Sequence, residues 1–142
     1  MEVSLVRKRL KTAIDAARAR AQQRRQSAAE AERAYEVFLH DVAVPITRQV
    51  ANALKAEGYG FTVSTPGGGV RLGSERTRDD FIELRLDTAD ERPQVMGRVS
   101  ASRGSRVLDE ERPVKPGASP DAISEDDLLE FLLHALESWI ER

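Results

Sequence analysis

The sequence of 142 residues contains no cysteine, which excludes disulfide bonds, thiolate catalysis and zinc sites built on cysteine. It also lacks any apolar run near the roughly 20 residues that a membrane-spanning helix needs. Its N-terminal segment has neither the apolar stretch nor the small-residue cleavage site of a signal peptide. We therefore expect a cytoplasmic protein that does not associate with a membrane.

Glycine and proline are absent from Glu2 to Val44, where alanine, arginine, glutamate and glutamine dominate. These residues are strong helix formers, so the segment predicts one long N-terminal helix. Apolar residues recur along it at the seven-residue spacing of a coiled coil and fall on one side of the predicted helix. This stripe is strong at both ends and thin in the middle, where residues 22–27 include no large apolar side chain.

The predicted length of this helix points to a second chain. A helix of about 43 residues is about 65 Å long, whereas the remaining residues would form a body about 30–35 Å across. The uncovered half must pack on another chain, fold back as a hairpin near Gln22–Ser27, or stand in solvent. Because its apolar start disfavours solvent, we predict a homo-oligomer, with a dimer favoured. The predicted interface residues are Val3, Leu10, Ile14, Ala17, Ala21, Ala28 and Phe38.

Charge is distributed unevenly, although the net charge is only −2. Residues 7–25 carry eight bases and one acid, whereas residues 109–142 carry ten acids and three bases, so the two ends are complementary. The basic end supports an alternative hypothesis, binding of nucleic acid through phosphate contacts. No aromatic residue is interleaved with these bases, which argues against stacking on single-stranded bases. The candidate contacts are Arg7, Lys8, Lys11, Arg18, Arg20, Arg24 and Arg25.

Beyond the first helix the pattern predicts a second helix and then strands. Pro45 is expected to end or kink the first helix, and Gly58 is expected to cap a second helix over Ile46–Glu57. Alternating apolar residues then predict strands, and the three prolines of Glu110–Pro120 predict a linker before a last helix with a capping box of Ser124 and Asp127. The predicted strands are Gly60–Thr65, Val70–Gly73, Asp80–Thr88 and Gln94–Ser102, with a candidate fifth beginning at Val107–Asp109.

These elements together predict an α+β fold. A long N-terminal helix and a second helix after a proline break precede an antiparallel sheet of four or five strands, and a C-terminal helix packs on that sheet. The predicted division is an oligomerisation helix over residues 1–44 and a globular α+β domain over residues 45–142. The order of elements resembles that of small bacterial nucleoid-associated proteins of the YbaB type, which implies an association with DNA. No residue motif accompanies this resemblance.

Motifs that carry chemistry are scarce. Gly67–Gly69 lacks the lysine and hydroxyl residue of a phosphate-binding loop and predicts a hairpin turn. His40 and His134 are isolated and lack the spacing of metal ligands. Arg71, Arg85 and Arg98 predict a solvated face of mixed charge on the sheet, with a ligand surface as the alternative. We therefore predict no catalytic residue, metal or cofactor. The preferred function is a non-enzymatic interaction or assembly module, whose globular part presents a surface to a protein partner.

Overall fold

The computed structural model of the chain describes residues 1–90 and 92–141. Two helices, five strands and a final helix follow one another, which confirms the predicted α+β class. The helices are α1 (Val3–Phe38), α2 (Val44–Ala56) and α3 (Glu125–Ile140). The strands are β1 (Phe61–Ser64), β2 (Val70–Ser74), β3 (Phe81–Asp87), β4 (Gln94–Arg103) and β5 (Arg106–Pro113).

Helices α1 and α2 form one long helix with a bend between them. A π-helical turn, Leu39–Ala43, joins them, and Pro45 follows in the first turn of α2. Proline lacks an amide hydrogen and its ring clashes with the carbonyl four residues earlier. That carbonyl belongs to Asp41 in the wider π-helical turn, a common place for a helix to kink. Pro45 therefore bends the helix and does not end it, and α1 runs without a break through residues 22–27.

Gly58 ends α2, as the sequence predicts. Its φ of 91° is in the left-handed region that glycine tolerates best. The amide of Tyr59 donates to the carbonyl of Leu54 at 2.8 Å, and the amide of Gly58 donates to that of Lys55 at 3.1 Å. These two bonds form a Schellman motif, which satisfies the last carbonyls of α2 and turns the chain towards β1.

The five strands form an antiparallel meander in the order β1-β2-β3-β4-β5. Ile82 and Leu84 of β3 face the inner side, as predicted, and are buried. Helices α2 and α3 cover this side, with α2 lying on β1 and β2 and α3 on β4. The largest fully buried side chains come from both layers and include Leu72, Ile82, Leu84, Leu128, Leu132 and Leu136.

The predicted linker over Glu110–Pro120 is wrong in its first part, because strand β5 continues to Pro113. Arg106–Pro113 pairs with β4 along its whole length, so the strand that the sequence placed at Val107–Asp109 extends to Pro113. It is an edge strand whose residues are mostly exposed, and it therefore lacks the apolar alternation that reveals a half-buried strand. Its side chains instead form ion pairs with arginines of the sheet, Asp109 with Arg98 of β4 and Glu111 with Arg85 of β3. Pro113 stands at the end of the strand, where a proline is tolerated.

Helix α3 begins with the predicted capping box. The hydroxyl of Ser124 accepts from the amide of Asp127 at 3.0 Å, and the Asp127 carboxylate accepts from the amide of Ser124 at 2.9 Å. The bond from the Ser124 backbone, together with one from the Lys115 side chain, holds the pKa of Asp127 below its ordinary value. Farther along α3, the ring of Phe131 lies directly over Gly97 of β4, where a Cβ atom would overlap it. The glycine thus permits close packing of helix on strand.

Tyr35, near the end of α1, brings a phenol into the core. Its hydroxyl oxygen has no hydrogen-bond partner among residues 1–90 and 92–141. Burial, with a smaller contribution from the charge of Glu83, raises the pKa of Tyr35 from 10.0 to about 12. The folded state thus holds the phenol proton more tightly than the unfolded state. The stability that this gives is complete below pH 10 and is lost as the pH rises towards 12.

We expect Tyr35→Phe to keep its stability at neutral pH and to remove this alkaline loss. The linkage predicts that wild type loses about 1 kcal/mol more unfolding free energy than the variant between about pH 9 and pH 11. Urea denaturation at the two pH values measures this difference. Tyr59→Phe, at a half-exposed tyrosine, serves as the matched control and should behave like wild type. An equal loss in wild type and Tyr35→Phe would contradict the assignment.

Candidate interaction site

The first half of α1 extends away from the rest of the chain. We call residues Val3–Arg20 the arm, and every one of them is exposed. The predicted stripe lies open along it, with exposed fractions of 67% for Val3, 58% for Leu10 and 40% for Ile14. Val6 falls on the same side at about 100° per residue and is also exposed. The arm thus presents four large aliphatic side chains in a row to solvent.

The predicted interface residues fall into two groups. Val3, Leu10, Ile14 and Ala17 belong to the arm and are accessible together. Ala21 and Ala28 are partly buried, and Phe38 is only 3% exposed because it packs in the core of its own chain. This second half of α1 lies against the turn Pro120–Ala122. The accessible part of the predicted interface is therefore the arm.

The bases of α1 surround the helix and do not form one face. Arg7, Lys8, Lys11, Arg18, Arg20, Arg24 and Arg25 are all exposed. At about 100° per residue, Arg7, Lys11 and Arg18 lie along one side of the apolar stripe, and Arg9 and Arg20 lie along the other. Lys8 points away from the stripe. Lys11 forms an ion pair with Asp15 at 2.9 Å within the same helix. The stripe is thus bordered by positive charge on both sides.

A second apolar surface lies between α2 and α3. We call it the α2–α3 groove, and its volume is about 590 Å³. Leu133 and Ile140 on its α3 wall are 47% and 51% exposed. The lining residues are mostly aliphatic: Ile46, Gln49, Val50, Ala53, Leu54, Glu57, Tyr59, Leu129, Leu133, Leu136 and Ile140. This groove was not predicted from the sequence as a separate surface.

The α3 border of the groove is acidic. At about 100° per residue, Asp126, Glu130 and Glu137 follow the stripe of Leu129, Leu133 and Ile140 on its outer side, and all three are exposed. Glu130 and Glu137 also line hollows on the opposite flank of α3, next to Arg112 and His134. On α2, Glu57 lines the groove, whereas Arg48 and Lys55 fall on the side of that helix away from it. The groove therefore combines an apolar floor with negative charge.

The sequence does contain a signal for this groove. Helix α3 carries eight large apolar residues between Leu128 and Ile140, which is more than one stripe packed on a sheet requires. Leu128, Phe131 and Leu132 are buried against the sheet, whereas Leu133 and Ile140 are not. The excess width of the apolar face is what marks a second contact surface.

On the outer face of the sheet, the arginine side chains are paired with carboxylates of the same chain. Arg71, Arg85 and Arg98 lie together on this face, as predicted, and share it with Glu83 and Met96, because the cross-strand register places these residues side by side. Each arginine forms an ion pair: Arg71 with Glu83 at 3.3 Å, Arg98 with Asp109 at 2.6 Å, and Arg85 with Glu111. The hydrogen bond from Arg98 lowers the pKa of the Asp109 carboxyl. This arrangement favours the mixed-charge interpretation of the face over a ligand surface.

Phe81 is an aromatic residue on this outer face that the sequence analysis missed. The guanidinium of Arg71 lies 4.0 Å and that of Arg98 lies 5.3 Å from its ring centroid. These cation–π contacts cover the ring, so Phe81 is buried although it points away from the main core. Ser100 is also buried on this face, where it stands opposite Phe81 in the register.

The remaining candidates form no site. His40 and Asp41 lie next to each other on the exposed surface, with Nδ1 of the histidine 2.9 Å from Oδ1 of the aspartate. Gly67 and Gly68 adopt positive φ in the predicted turn. In the described part of the chain, no group of three histidine, aspartate or glutamate side chains is placed to hold a metal. None of the described helices is both long and apolar enough to cross a bilayer.

Comparison with known proteins gives no relative: no family model, curated protein or solved structure matches the chain. The resemblance to nucleoid-associated proteins therefore rests on the order of elements alone. The exposed apolar surfaces of the arm and the α2–α3 groove are the structural features that bear on the function of the chain.

Proposed function

We propose that this protein is a non-enzymatic assembly module that forms a homo-oligomer through the arm. The observation that carries the proposal is the row of Val3, Val6, Leu10 and Ile14, which is exposed along a helix that extends from the body. Burying a half-exposed aliphatic side chain of this size gains about 1 kcal/mol. Four of them on each chain outweigh what isolated surface ion pairs contribute, which is about 0–1 kcal/mol each.

The arm is suited to assembly because it is already folded before a partner arrives. It continues without a break into the part of α1 that Tyr35 and Phe38 fix in the core. Binding through it would therefore cost less conformational entropy than ordering a disordered segment. This favours the arm over a loop as the element that holds copies together.

Sedimentation velocity of the full chain over a concentration series tests the proposal. We expect the weight-average sedimentation coefficient to rise with concentration and to reach that of a dimer or larger species at tens of micromolar, on the order of the affinities of weak specific contacts. A coefficient that stays at the monomer value over this range would overturn the assignment.

A second candidate function is association with nucleic acid through the bases of the arm. It is supported by the exposure of all seven candidate residues. Within residues 1–90 and 92–141, Lys11 is the one of the seven that pairs with a carboxylate. Their placement around the helix is less favourable, because a duplex groove contacts one side of a helix at a time. A gel shift at low salt with duplex and single-stranded DNA and RNA separates the two functions, since phosphate contacts are strongest there. No shift would remove this candidate.

A further inference from the structure

We propose that the α2–α3 groove is the receptor for the arm of a second copy of the chain. This inference rests on the proposed function, because it names the surface to which the arm binds. Both surfaces expose large aliphatic side chains: Leu10 and Ile14 on the arm, and Leu133 and Ile140 in the groove. The arm forms an apolar ridge and the groove forms an apolar trough, so the two surfaces are complementary in shape and chemistry.

The dimensions agree. The strongly apolar part of the arm, Val3–Ile14, extends over about 17 Å at 1.5 Å per residue. The walls of the groove, α2 and α3, contain 13 and 16 residues, which correspond to about 20 Å and 24 Å. The ridge therefore fits within the length of the trough. A helix lying in an apolar groove through residues spaced three and four apart is a recurrent mode of recognition.

Charge selects the groove over a second arm as the binding partner. Residues 7–25 carry eight bases and one acid, so two arms paired side by side would bring like charges together in either orientation. The groove instead has Glu57 in its lining, and the exposed carboxylates of Asp126, Glu130 and Glu137 follow the outer side of its α3 wall. Arm docking would place Arg7, Lys11 and Arg18, or Arg9 and Arg20, against these carboxylates.

The occupant has to come from another copy. From Val3 to Ala56 the backbone is helical at every residue, including the π-helical turn. The end of the arm at Arg20 therefore lies about 36 Å along the helix from the start of α2, and the arm leads away from its own groove. A second copy can place its arm in the groove without unfolding any part of α1, and the exchange can be reciprocal in a two-fold dimer.

The salt dependence of the wild-type oligomer provides a first test that needs no variant. Docking of a basic arm on an acidic border predicts a dissociation constant that rises by roughly tenfold between about 50 mM and 500 mM sodium chloride, because several exposed charge pairs are screened. Arm-to-arm pairing predicts the opposite sign, since salt would screen repulsion between the bases. A dissociation constant that falls or does not change with salt would overturn groove docking while leaving assembly through the arm intact.

A complementation experiment provides the second test. Leu133→Lys/Ile140→Lys disables the groove, and Leu10→Asp/Ile14→Asp disables the arm. Each variant alone should sediment as a monomer, whereas an equimolar mixture should form a heterodimer, because one intact arm meets one intact groove. Val107→Lys/Leu108→Lys is the matched control, since it replaces two aliphatic residues of similar exposure in the β4–β5 hairpin. It should assemble like wild type.

The outcomes separate the two proposals. If the groove variant assembles like wild type, the groove is not the receptor, although the arm remains an interface. If both variants are monomeric and the mixture stays monomeric at a hundred times the wild-type dissociation constant, docking of an intact arm in an intact groove is overturned. A monomeric wild type would overturn both proposals. Circular dichroism checks that each variant is folded, and the salt dependence decides if the groove variant is not.

Discussion

Replacing Leu10 and Ile14 by aspartate should convert the oligomer to monomer and leave the fold unchanged. Both residues lie in the row of aliphatic side chains on the arm and are 58% and 40% exposed. The double substitution removes two aliphatic contacts from each arm and forces two carboxylates into an apolar surface. We expect the dissociation constant to increase more than about 100-fold, which corresponds to about 2.7 kcal/mol. Sedimentation velocity measures it.

The body should not respond to this change. The arm contributes no residue to the core, and surface substitutions usually alter the unfolding free energy by less than about 0.5 kcal/mol. Leu5→Asp/Thr12→Asp is a matched control with the same added charge, because both residues are exposed on the opposite side of the arm. It should sediment like wild type. If the two double variants have the same effect, added charge on the arm and not the row of aliphatic residues would explain the loss.

Substituting Gly97 by alanine should cost about 3 kcal/mol of unfolding free energy. An added Cβ would overlap the ring of Phe131, which is buried between α3 and β4. A flat ring held in a packed core cannot turn aside as a flexible side chain can, so either the helix or the strand must shift. Overpacking of this kind costs about 1–3 kcal/mol and occasionally more. Urea denaturation, monitored by circular dichroism, measures the loss.

Gly73→Ala is the control for this prediction. Gly73 lies in β2 of the same sheet, and nothing is within 4 Å of where its Cβ would be. Alanine there should leave the stability unchanged or raise it slightly, because it reduces the entropy of the unfolded chain. In the double variant Gly97→Ala/Phe131→Ala the overlap is absent. Its loss of unfolding free energy should therefore be smaller than the sum of the losses of the two single variants. Full additivity would show that Phe131 is not the residue that limits this position.

The fold could be predicted from the sequence where one physical signal dominates. The absence of glycine and proline up to Val44 predicted the long helix, and the alternation around Ile82 and Leu84 predicted the central strand. Gly58 and the pair of Ser124 and Asp127 predicted helix ends, because caps depend on local hydrogen bonds. Only the start of strand β5 was predicted. An exposed edge strand is held by backbone hydrogen bonds to its neighbour, here β4, and the pattern of its own side chains does not reveal that pairing.

The candidate site was less accessible to prediction. The aliphatic residues of the arm could be placed on one side of a helix from their spacing alone. Phe38, by contrast, has the same spacing as Leu10 and yet is buried in its own core, because the body covers one half of α1 and not the other. The α2–α3 groove depends on how two distant helices lie on one sheet, and the spacing of residues within either helix does not determine that.

The bend before Pro45 has a consequence for the symmetry of any assembly. Helix α1 is about 54 Å long for its 36 residues, so a change of about 10° at the bend would move its tip by about 9 Å. Reciprocal docking closes into a two-fold dimer only if the tip of each arm reaches the other copy at the right angle. At other angles the same contact repeats from copy to copy and builds an open filament. If copies assemble through the arm and the groove, the angle at the π-helical turn Leu39–Ala43 would therefore decide between a closed dimer and an open filament.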